Sequence, residues 1–430
     1  MKIKTLTAAL ACALPVTGAF AAALDRSGQS ISAFLQPGNY FEAGISVLDP
    51  NVSGKVRNGY TPNAALPASS AGLQNTSVGE MAEDYYFPSA ALKLQVTDNF
   101  SFGLIYDQPF GAEVEYSTGT QKTTALPGPL APLGNQGAFH NGTEGTSVEV
   151  KSQSISMLFG YQPTENFNFY AGPVYQTMKG DVQLRGLAYG GTATFGGYNA
   201  SIKETGDIGW LAGAAFQIPD IALKASVTYR SEIEHSVNAK ESFNSAGLFA
   251  GLNAVPSKET TITTPQSVNL DLQSGIMADT VAFANIRWVN WKDFSIQPDK
   301  FTTASKHPAV QASTGKPEFA LIAYTDDQWS VNAGVGRKVT DKWAGNVSVG
   351  YDTGAGNPIS TLGPTEGYWN VGLGLQFSPA ANYFIAGGVK YFWLGDAKAQ
   401  AGSQFDTPNY VAEFEDNNAI AYGLKLGYRF

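Results

Sequence analysis

The chain has 430 residues, a formal charge of −9, 15% charged residues and 12% aromatic ones. A soluble domain carries roughly 25% charged residues, and a nucleic-acid partner wants a basic face, so this composition argues against both a nucleic-acid partner and a soluble class. It contains 47 glycines and, after the N-terminus, no apolar run long enough for a membrane-crossing helix, which leaves a transmembrane β-barrel as the class that fits.

The first segment is read as an export signal. Lys2 and Lys4 precede an apolar stretch that ends in Ala19-Phe20-Ala21, a small-x-small cleavage pattern, so residues 1–21 are expected to be removed. Cys12 lies inside that signal, without the apolar residue three positions earlier that lipidation needs, and it is the only cysteine. The mature chain is therefore expected to hold no disulfide and no thiolate metal site. Residues 22–38 are too short for a domain but long enough to enter a barrel as a plug, and Leu24, Asp25, Arg26 and Ser27 open that segment.

From residue 39 onward the pattern alternates with a period of two. Short connectors recur, most of them next to an aromatic: Thr97-Asp98-Asn99-Phe100, Pro163-Thr164-Glu165-Asn166-Phe167, Pro219-Asp220, Ala278-Asp279, Thr340-Asp341-Lys342-Trp343 and Pro379-Ala380-Ala381-Asn382-Tyr383. Pro, Asp and Asn supply turn geometry, and the aromatics are expected to form an interfacial girdle. Longer polar stretches alternate with these turns, at about 49–82, 118–146, 186–195, 237–258, 298–317, 352–366 and 395–417. Tight turns at one end and long loops at the other predict an all-β, antiparallel transmembrane barrel of about fourteen strands over residues 39–430. The expected starts are Asn39, Asp84, Asn99, Ser147, Asn166, Gly196, Ile221, Thr260, Asp279, Gln328, Lys342, Gly367, Asn382 and Asn418. The last strand alternates from Ile420 to the terminal Phe430, and Tyr428 with Phe430 looks like the segment that the bacterial barrel-assembly machinery reads.

Catalytic chemistry finds no support. His140, His235 and His307 are the only histidines and fall in no metal-ligand spacing; no Gly-x-Ser-x-Gly occurs. Gly334-Val335-Gly336 and Gly372-Leu373-Gly374 lie in alternating strands, not at a strand-to-helix turn. No enzyme activity, catalytic residue, metal or cofactor is expected. The third segment is more informative, because alternation from Phe100 meets Gln108, Pro109, Phe110 and Gly111 in mid-strand. Proline cannot donate a ladder hydrogen bond, so pairing must break there. The residues alone allow a side opening in the wall, a bulge, or a strand that ends before Pro109.

Several motifs, in this order, resemble the FadL/TodX family of outer-membrane transporters of long-chain fatty acids and aromatic hydrocarbons. They are Leu48-Asp49-Pro50-Asn51-Val52-Ser53-Gly54, Thr228-Tyr229-Arg230-Ser231-Glu232, Pro265-Gln266-Ser267-Val268, Trp288-Val289-Asn290-Trp291-Lys292-Asp293-Phe294, Asp327-Gln328-Trp329-Ser330-Val331-Asn332-Ala333-Gly334 and Gly367-Tyr368-Trp369-Asn370-Val371-Gly372-Leu373-Gly374. The resemblance implies fourteen strands, an N-terminal plug, and an inward kink of the third strand through which cargo leaves sideways, here at Gln108 to Gly111. It departs from the family in its short plug and in lacking the Asn-Pro-Ala motif of the usual hatch. The implied function is passive uptake of hydrophobic small molecules, long-chain fatty acids first, by a monomer in the outer membrane of a Gram-negative bacterium, among its lipid and lipopolysaccharide. The rival readings are a general diffusion porin and, less well supported, an outer-membrane enzyme.

A carboxylate cargo wants a cation. Arg287 shares a strand face with Val281, Phe283, Val289 and Trp291, and is either a head-group ligand or the partner of a lumen acid; Lys316, in a loop, is the second candidate. The loop apolars Leu126, Leu130, Leu133, Leu248, Phe249 and Leu252 form either a surface capture groove or internal loop packing.

Overall fold

Alternation with an apolar outward face can be satisfied in lipid only if the sheet closes, because a bilayer offers no water to an unpaired strand edge. The computed structural model, which describes residues 23–61, 72–118, 122–125 and 134–430, shows this closure. Fourteen antiparallel strands form one ring. They are β1 (Tyr40–Asn51), β2 (Tyr85–Gln95), β3 (Phe100–Asp107, continued by Gly111–Glu115), β4 (Ser147–Thr164), β5 (Phe167–Gln183), β6 (Asn199–Ile218) and β7 (Leu223–Arg230). The ring continues with β8 (Ser267–Met277), β9 (Thr280–Val289), β10 (Gln328–Lys338), β11 (Trp343–Asp352), β12 (Tyr368–Ala380), β13 (Tyr383–Leu394) and β14 (Asn418–Arg429). It closes where β1 pairs with β14, from Tyr40 opposite Arg429 to Asn51 opposite Asn418.

The sequence pattern maps onto the two faces. On β14, Tyr422, Leu424, Leu426 and Tyr428 are exposed to the outside, while Ala419 and Ala421 are buried. On β11 and β12, Val347, Val349, Leu373 and Leu375 face out, and Asn346, Ser348, Asn370 and Gln376 face in. The wall is thus apolar toward lipid and polar toward the lumen. Trp343 packs on Phe377 and Phe100 on Tyr161 at the tight-turn end; Tyr351 on Trp369 and Trp210 on Tyr229 mark the loop end. A strand of 9–11 residues crosses a bilayer, so β4, β5 and β6, at 18, 17 and 20 residues, rise above it.

One predicted boundary is corrected. The eighth barrel strand starts at Ser267, not Thr260; Thr260–Thr264 pairs with Ile233–Val237 in a separate two-stranded ribbon. Pro265 separates the two, because it cannot donate to a continuous ladder. The predicted signal, residues 1–21, lies outside the described residues.

The long loops fold into a cap. Two short helices, α1 (Asp299–Ser305) and α2 (Pro308–Thr314), follow β9. The Glu241 carboxylate, from the loop after β7, accepts the Lys300 and Phe301 amides at the start of α1, both at 2.9 Å. It also accepts the Tyr198 hydroxyl at 2.8 Å, which ties three loops to one buried acid. Phe195 lies at the centre of an aromatic cluster with Phe249, Phe301 and Phe319, ring centroids 4.9 to 5.3 Å away.

The N-terminal segment 23–38, the predicted plug, packs inside the barrel toward the tight-turn end. Ile31, Phe34 and Leu35 join Tyr170, Leu158, Leu211 and Phe384 in one apolar cluster. Phe34 seats over two glycines: a Cβ on Gly160 would stand 2.8 Å from its ring, and one on Gly103 would overlap it outright. Gly103→Val is expected to evict Phe34, at a cost of about 1–3 kcal/mol for overpacking. The check is single-channel recording in planar bilayers, where the native chain should stay electrically silent and the variant should conduct.

Candidate functional site: a window in the wall and the plug beside it

The ladder between β2 and β3 is continuous from Gln95 opposite Ser101 to Ala90 opposite Tyr106. It then stops, and resumes only at the bridge of Ala82 with Val114 and the Glu115 amide bonded to the Met81 carbonyl at 2.9 Å. The register is the same on both sides of the interruption, so equal stretches, 83–89 and 107–113, frame a window. The single backbone bond across it runs from the Glu83 amide to the Glu113 carbonyl at 3.5 Å, the outer limit of a hydrogen bond. Each edge carries a proline, Pro88 on β2 and Pro109 on β3, with no N–H to offer. Pro109 was legible as a break in the sequence; Pro88 was missed, because Pro88 still pairs in register with Ile45 of β1 on its other side.

The freed backbone groups of the kink are taken by the plug. The Gly111 amide donates to the Leu24 carbonyl at 2.8 Å, and the Arg26 amide donates to the Pro109 carbonyl at 2.7 Å. Asp25 therefore stands opposite Phe110 as an antiparallel bridge. Three residues of the plug have replaced β2 as the neighbour of β3. On the other side β3 slips by one residue against β4, between the pairs Asp107–Ser154 and Gly111–Lys151. Ser152 spans the slip: its hydroxyl accepts the Phe110 amide at 2.9 Å, and its own amide donates to the Phe110 carbonyl at 3.1 Å. A Cβ on Gly111 would come within 3.1 Å of the Val150 carbonyl, so the kink tolerates little bulk there. Phe110 is buried edge-on to Trp291, ring centroids 5.5 Å apart.

Behind the window lies a cavity with about 710 Å³ of empty space, part of it open to solvent. Phe87, Pro88, Tyr106 and Gln108 line its mouth, and Arg26, Ser27 and Ser30 of the plug line its back. Asp107 accepts the Ser27 hydroxyl at 2.7 Å, and Lys425 pairs with Glu42 at 2.9 Å. The Arg26 guanidinium lies over the Tyr85 ring, 5.0 Å from its centroid.

Charge holds the plug in place. Arg287 meets Asp25 through two bonds, Nε to Oδ2 at 2.7 Å and Nη2 to Oδ1 at 3.1 Å, and both residues are buried. Its remaining donors reach Asn269 at 2.7 Å and Gln29 at 3.0 Å. Of the two arrangements open for Arg287, the structure holds the pair with a lumen acid, and that acid belongs to the plug. Arg230 donates to the Gln29 carbonyl at 3.0 Å, Lys224 to Leu35 at 2.8 Å and Lys93 to Gln36 at 2.6 Å. The sequence motifs thus supply sockets and frame. Asp327 accepts from Trp288 at 3.1 Å and Asn290 at 3.0 Å, and Gln328 accepts the Trp291 indole at 2.7 Å, which braces β9 on β10.

Lys316 lies away from the lumen. It follows α2 in the cap, half-buried, with its ammonium 3.8 Å from Asp406 and pushed down by burial. The cap holds a second cavity, with about 700 Å³ of empty space, lined mostly by apolar groups such as Tyr189, Phe195, Leu248, Phe301, Val310 and Phe319. Leu248 reaches it, whereas Phe249 is buried beneath; Leu126, Leu130 and Leu133 lie outside the described residues. The three histidines have local structural contacts: His140 accepts the Gly142 amide, His235 pairs with Gln176, and His307 caps α2. Tyr428 and Phe430 stack on the outer surface at the tight-turn end, 5.7 Å apart.

The profile of the family described as outer membrane protein transport protein (OMPP1/FadL/TodX) matches residues 134–430. The chain belongs to that family. Among solved structures, a FadL homologue of Pseudomonas aeruginosa is 15% identical and covers 99% of this chain and 98% of its own, at a TM-score of 0.66. The toluene transporter TodX of Pseudomonas putida is 13% identical over 97% of each chain, at 0.59, and the monoaromatic hydrocarbon channel CymD is 12% identical over 97% and 94%, at 0.52. At these identities the likeness is one of fold. No curated protein sequence matches. The family match begins after the plug and the window, so those two features stand on geometry alone.

Removing one partner of a buried pair strands the other charge, which costs about 3–5 kcal/mol. Arg287→Met should therefore undock the plug. Hydrogen exchange over residues 23–36 should accelerate sharply in this variant, and adding Asp25→Asn should restore part of the protection.

Proposed function

We propose that this outer-membrane transporter takes up hydrophobic molecules passively and releases them sideways, through the window between β2 and β3, into the outer leaflet. The observation that supports this reading is the ladder interrupted between β2 and β3, next to the docked N-terminal segment. Among the described residues the β2–β3 ladder is interrupted at 83–89 and 107–113, and toward the tight-turn end Phe34 packs on inward residues of β4, β5, β6 and β13. Cargo that cannot pass along the axis has the window as its way out.

The route begins in the cap. An apolar cavity among Phe195, Leu248, Phe301 and Val310 is suited to pull a hydrocarbon chain out of the lipopolysaccharide layer, at roughly 0.8 kcal/mol per buried methylene. Leaving through the wall keeps the chain out of water a second time, and no energy source is needed while the cell consumes the cargo. Long-chain fatty acids are the first candidate, since their chain gains most from such burial. Monoaromatic hydrocarbons are the second, supported by the toluene and monoaromatic channels that share the fold. A general diffusion porin would need an open axial pathway, against which the docking of residues 23–38 inside the barrel counts.

The window is tested by restoring a donor on each edge. In cells that lack their own transporter, the native chain should take up labelled oleate. The Pro88→Val, Pro109→Val double variant, at equal surface expression, should fall to the background of empty cells. Unchanged uptake in that variant would remove the side exit and leave the cargo. The capture cavity has its own signature: Val310→Lys with Leu248→Glu should raise the oleate concentration for half-maximal uptake while the maximal rate stays the same.

A further inference from the structure

Besides the window, a second pair of wall strands parts. The ladder of β6 with β7 runs from Ile218 opposite Leu223 to Leu211 opposite Arg230, and ends with the Ser231 amide on the Trp210 carbonyl at 2.9 Å. It resumes at Ser201 opposite Lys240. Between these points, 202–209 and 232–239 exchange no backbone hydrogen bond among the described residues; the Thr205 hydroxyl donates to the Ser236 carbonyl across the gap at 3.3 Å. Both edges are otherwise paired, β6 with β5 and the ribbon Ile233–Val237 with Thr260–Thr264. The cause is local. Arg230 and Ile233 are both buried, as are Ser267 and Thr264 on the partner strand, whereas residues three apart in an unbroken strand face opposite sides. The ribbon is therefore turned over relative to the wall below it, at Ser231-Glu232 and Pro265-Gln266, and offers β6 no matching edge.

A cavity with about 260 Å³ of empty space, part of it open to solvent, lies at the lower end of this seam, next to the Trp210–Tyr229 pair of the loop-end girdle. Trp210, half-exposed on the outer face, lines it together with Val174, Ile233 and Pro265, and so do the buried Phe110 of the kink and Gln29 of the plug. Ile233 fills the seam against β6, since a Cβ on Gly209 would stand 2.6 Å from its Cγ1. The polar lining is largely spent internally. Gln176 accepts the Thr264 hydroxyl at 2.8 Å, pairs with His235 at 3.0 Å and donates to Ser154 at 3.2 Å. The Ser231 hydroxyl accepts the Trp210 amide at 3.0 Å, and Arg230 donates to the Gln29 carbonyl and to Ser156. What is left for a ligand is apolar and aromatic surface beside a guanidinium, a setting that attracts a π-system and asks for no charge.

We propose that this seam is a second side port, an entrance through the wall between β6 and β7 for single-ring aromatic hydrocarbons held in the lipopolysaccharide layer. Its empty space is little more than a third of the 700 Å³ or so in the cap, so it suits one ring rather than a long acyl chain. The seam continues from the girdle toward the loops, where the wall meets lipopolysaccharide head groups and water, so its unpaired backbone is tolerated there. Phe110 lines this cavity and also stands on the kink that frames the window. A ring that passes Ile233 therefore arrives beside the exit without crossing the cap. The inference rests on the window being that exit, and it gives small aromatic cargo and long-chain cargo different entrances.

The test is a reversible lock. Cys12 falls in the predicted signal, so Gly209→Cys with Ile233→Cys gives the mature chain a single thiol pair, at positions close enough to bridge. Uptake of labelled toluene and of labelled oleate is measured in cells lacking their own transporter, with the pair oxidised and then reduced in the same cells. Oxidation should bring toluene uptake to the background of empty cells, reduction should restore it, and oleate uptake should stay the same in both states. Mass spectrometry gives the extent of cross-linking, and heat-modifiable migration on gels verifies a folded barrel. Val174→Trp, which fills the cavity without a cross-link, should lower toluene uptake and spare oleate. Toluene uptake that is equal in the oxidised and reduced states, or unchanged by Val174→Trp, would overturn the port. A parallel fall of oleate would overturn it as well, because the lock would then act on a path common to both cargoes. The two proposals fail separately: the Pro88→Val, Pro109→Val variant should stop both cargoes, so a lock that stops toluene while that variant transports normally removes the window alone.

Discussion

Backbone hydrogen bonding inside a bilayer is the constraint from which the rest of this structure follows. With no water in the hydrocarbon layer, each strand must pair on both sides, and a break in one ladder must be answered from within the protein. The gap between β2 and β3 meets this condition because the plug enters as a substitute neighbour. Leu24 and Arg26 take the bonds that the kinked strand no longer exchanges with β2. A hole in the wall and a plug in the lumen are then one structural element. The two are joined by the backbone bonds of Gly111 to Leu24 and of Arg26 to Pro109.

That coupling needs the plug to be held firmly, and charge does the holding. Ile31, Phe34 and Leu35 bury their apolar surface in the barrel, with Phe34 in its glycine seat. The Asp25–Arg287 pair and the cations that grip plug carbonyls supply the remainder. The low dielectric of the lumen strengthens such pairs when complete and penalises them when broken. A polar lumen wall inside an apolar exterior is therefore the socket for the plug.

Sequence patterning made most of the barrel legible. Alternation, tight turns with aromatics and long polar loops gave fourteen strands in the right order, since these are local consequences of having lipid on one face. The one misplaced start, Thr260 for Ser267, came from a ribbon that alternates as regularly as the wall but pairs outside it. The candidate site was legible only in part. Pro109 declared itself because a proline in mid-strand breaks a local rule. Pro88 did not, because it still pairs with β1. Arg287 stood out as a lumen cation, but its partner lies on a segment 262 residues away in the chain.

By itself, then, the sequence determined the class, the closure of the sheet, the outward apolar face and the place where pairing must fail. Each depends on neighbours in the chain and on the solvent they meet. Only the tertiary structure decided which groups take over the broken bonds and which charges are neutralised. Those outcomes depend on contacts between residues far apart in the chain, and a buried charge becomes functional or structural according to what happens to stand opposite it.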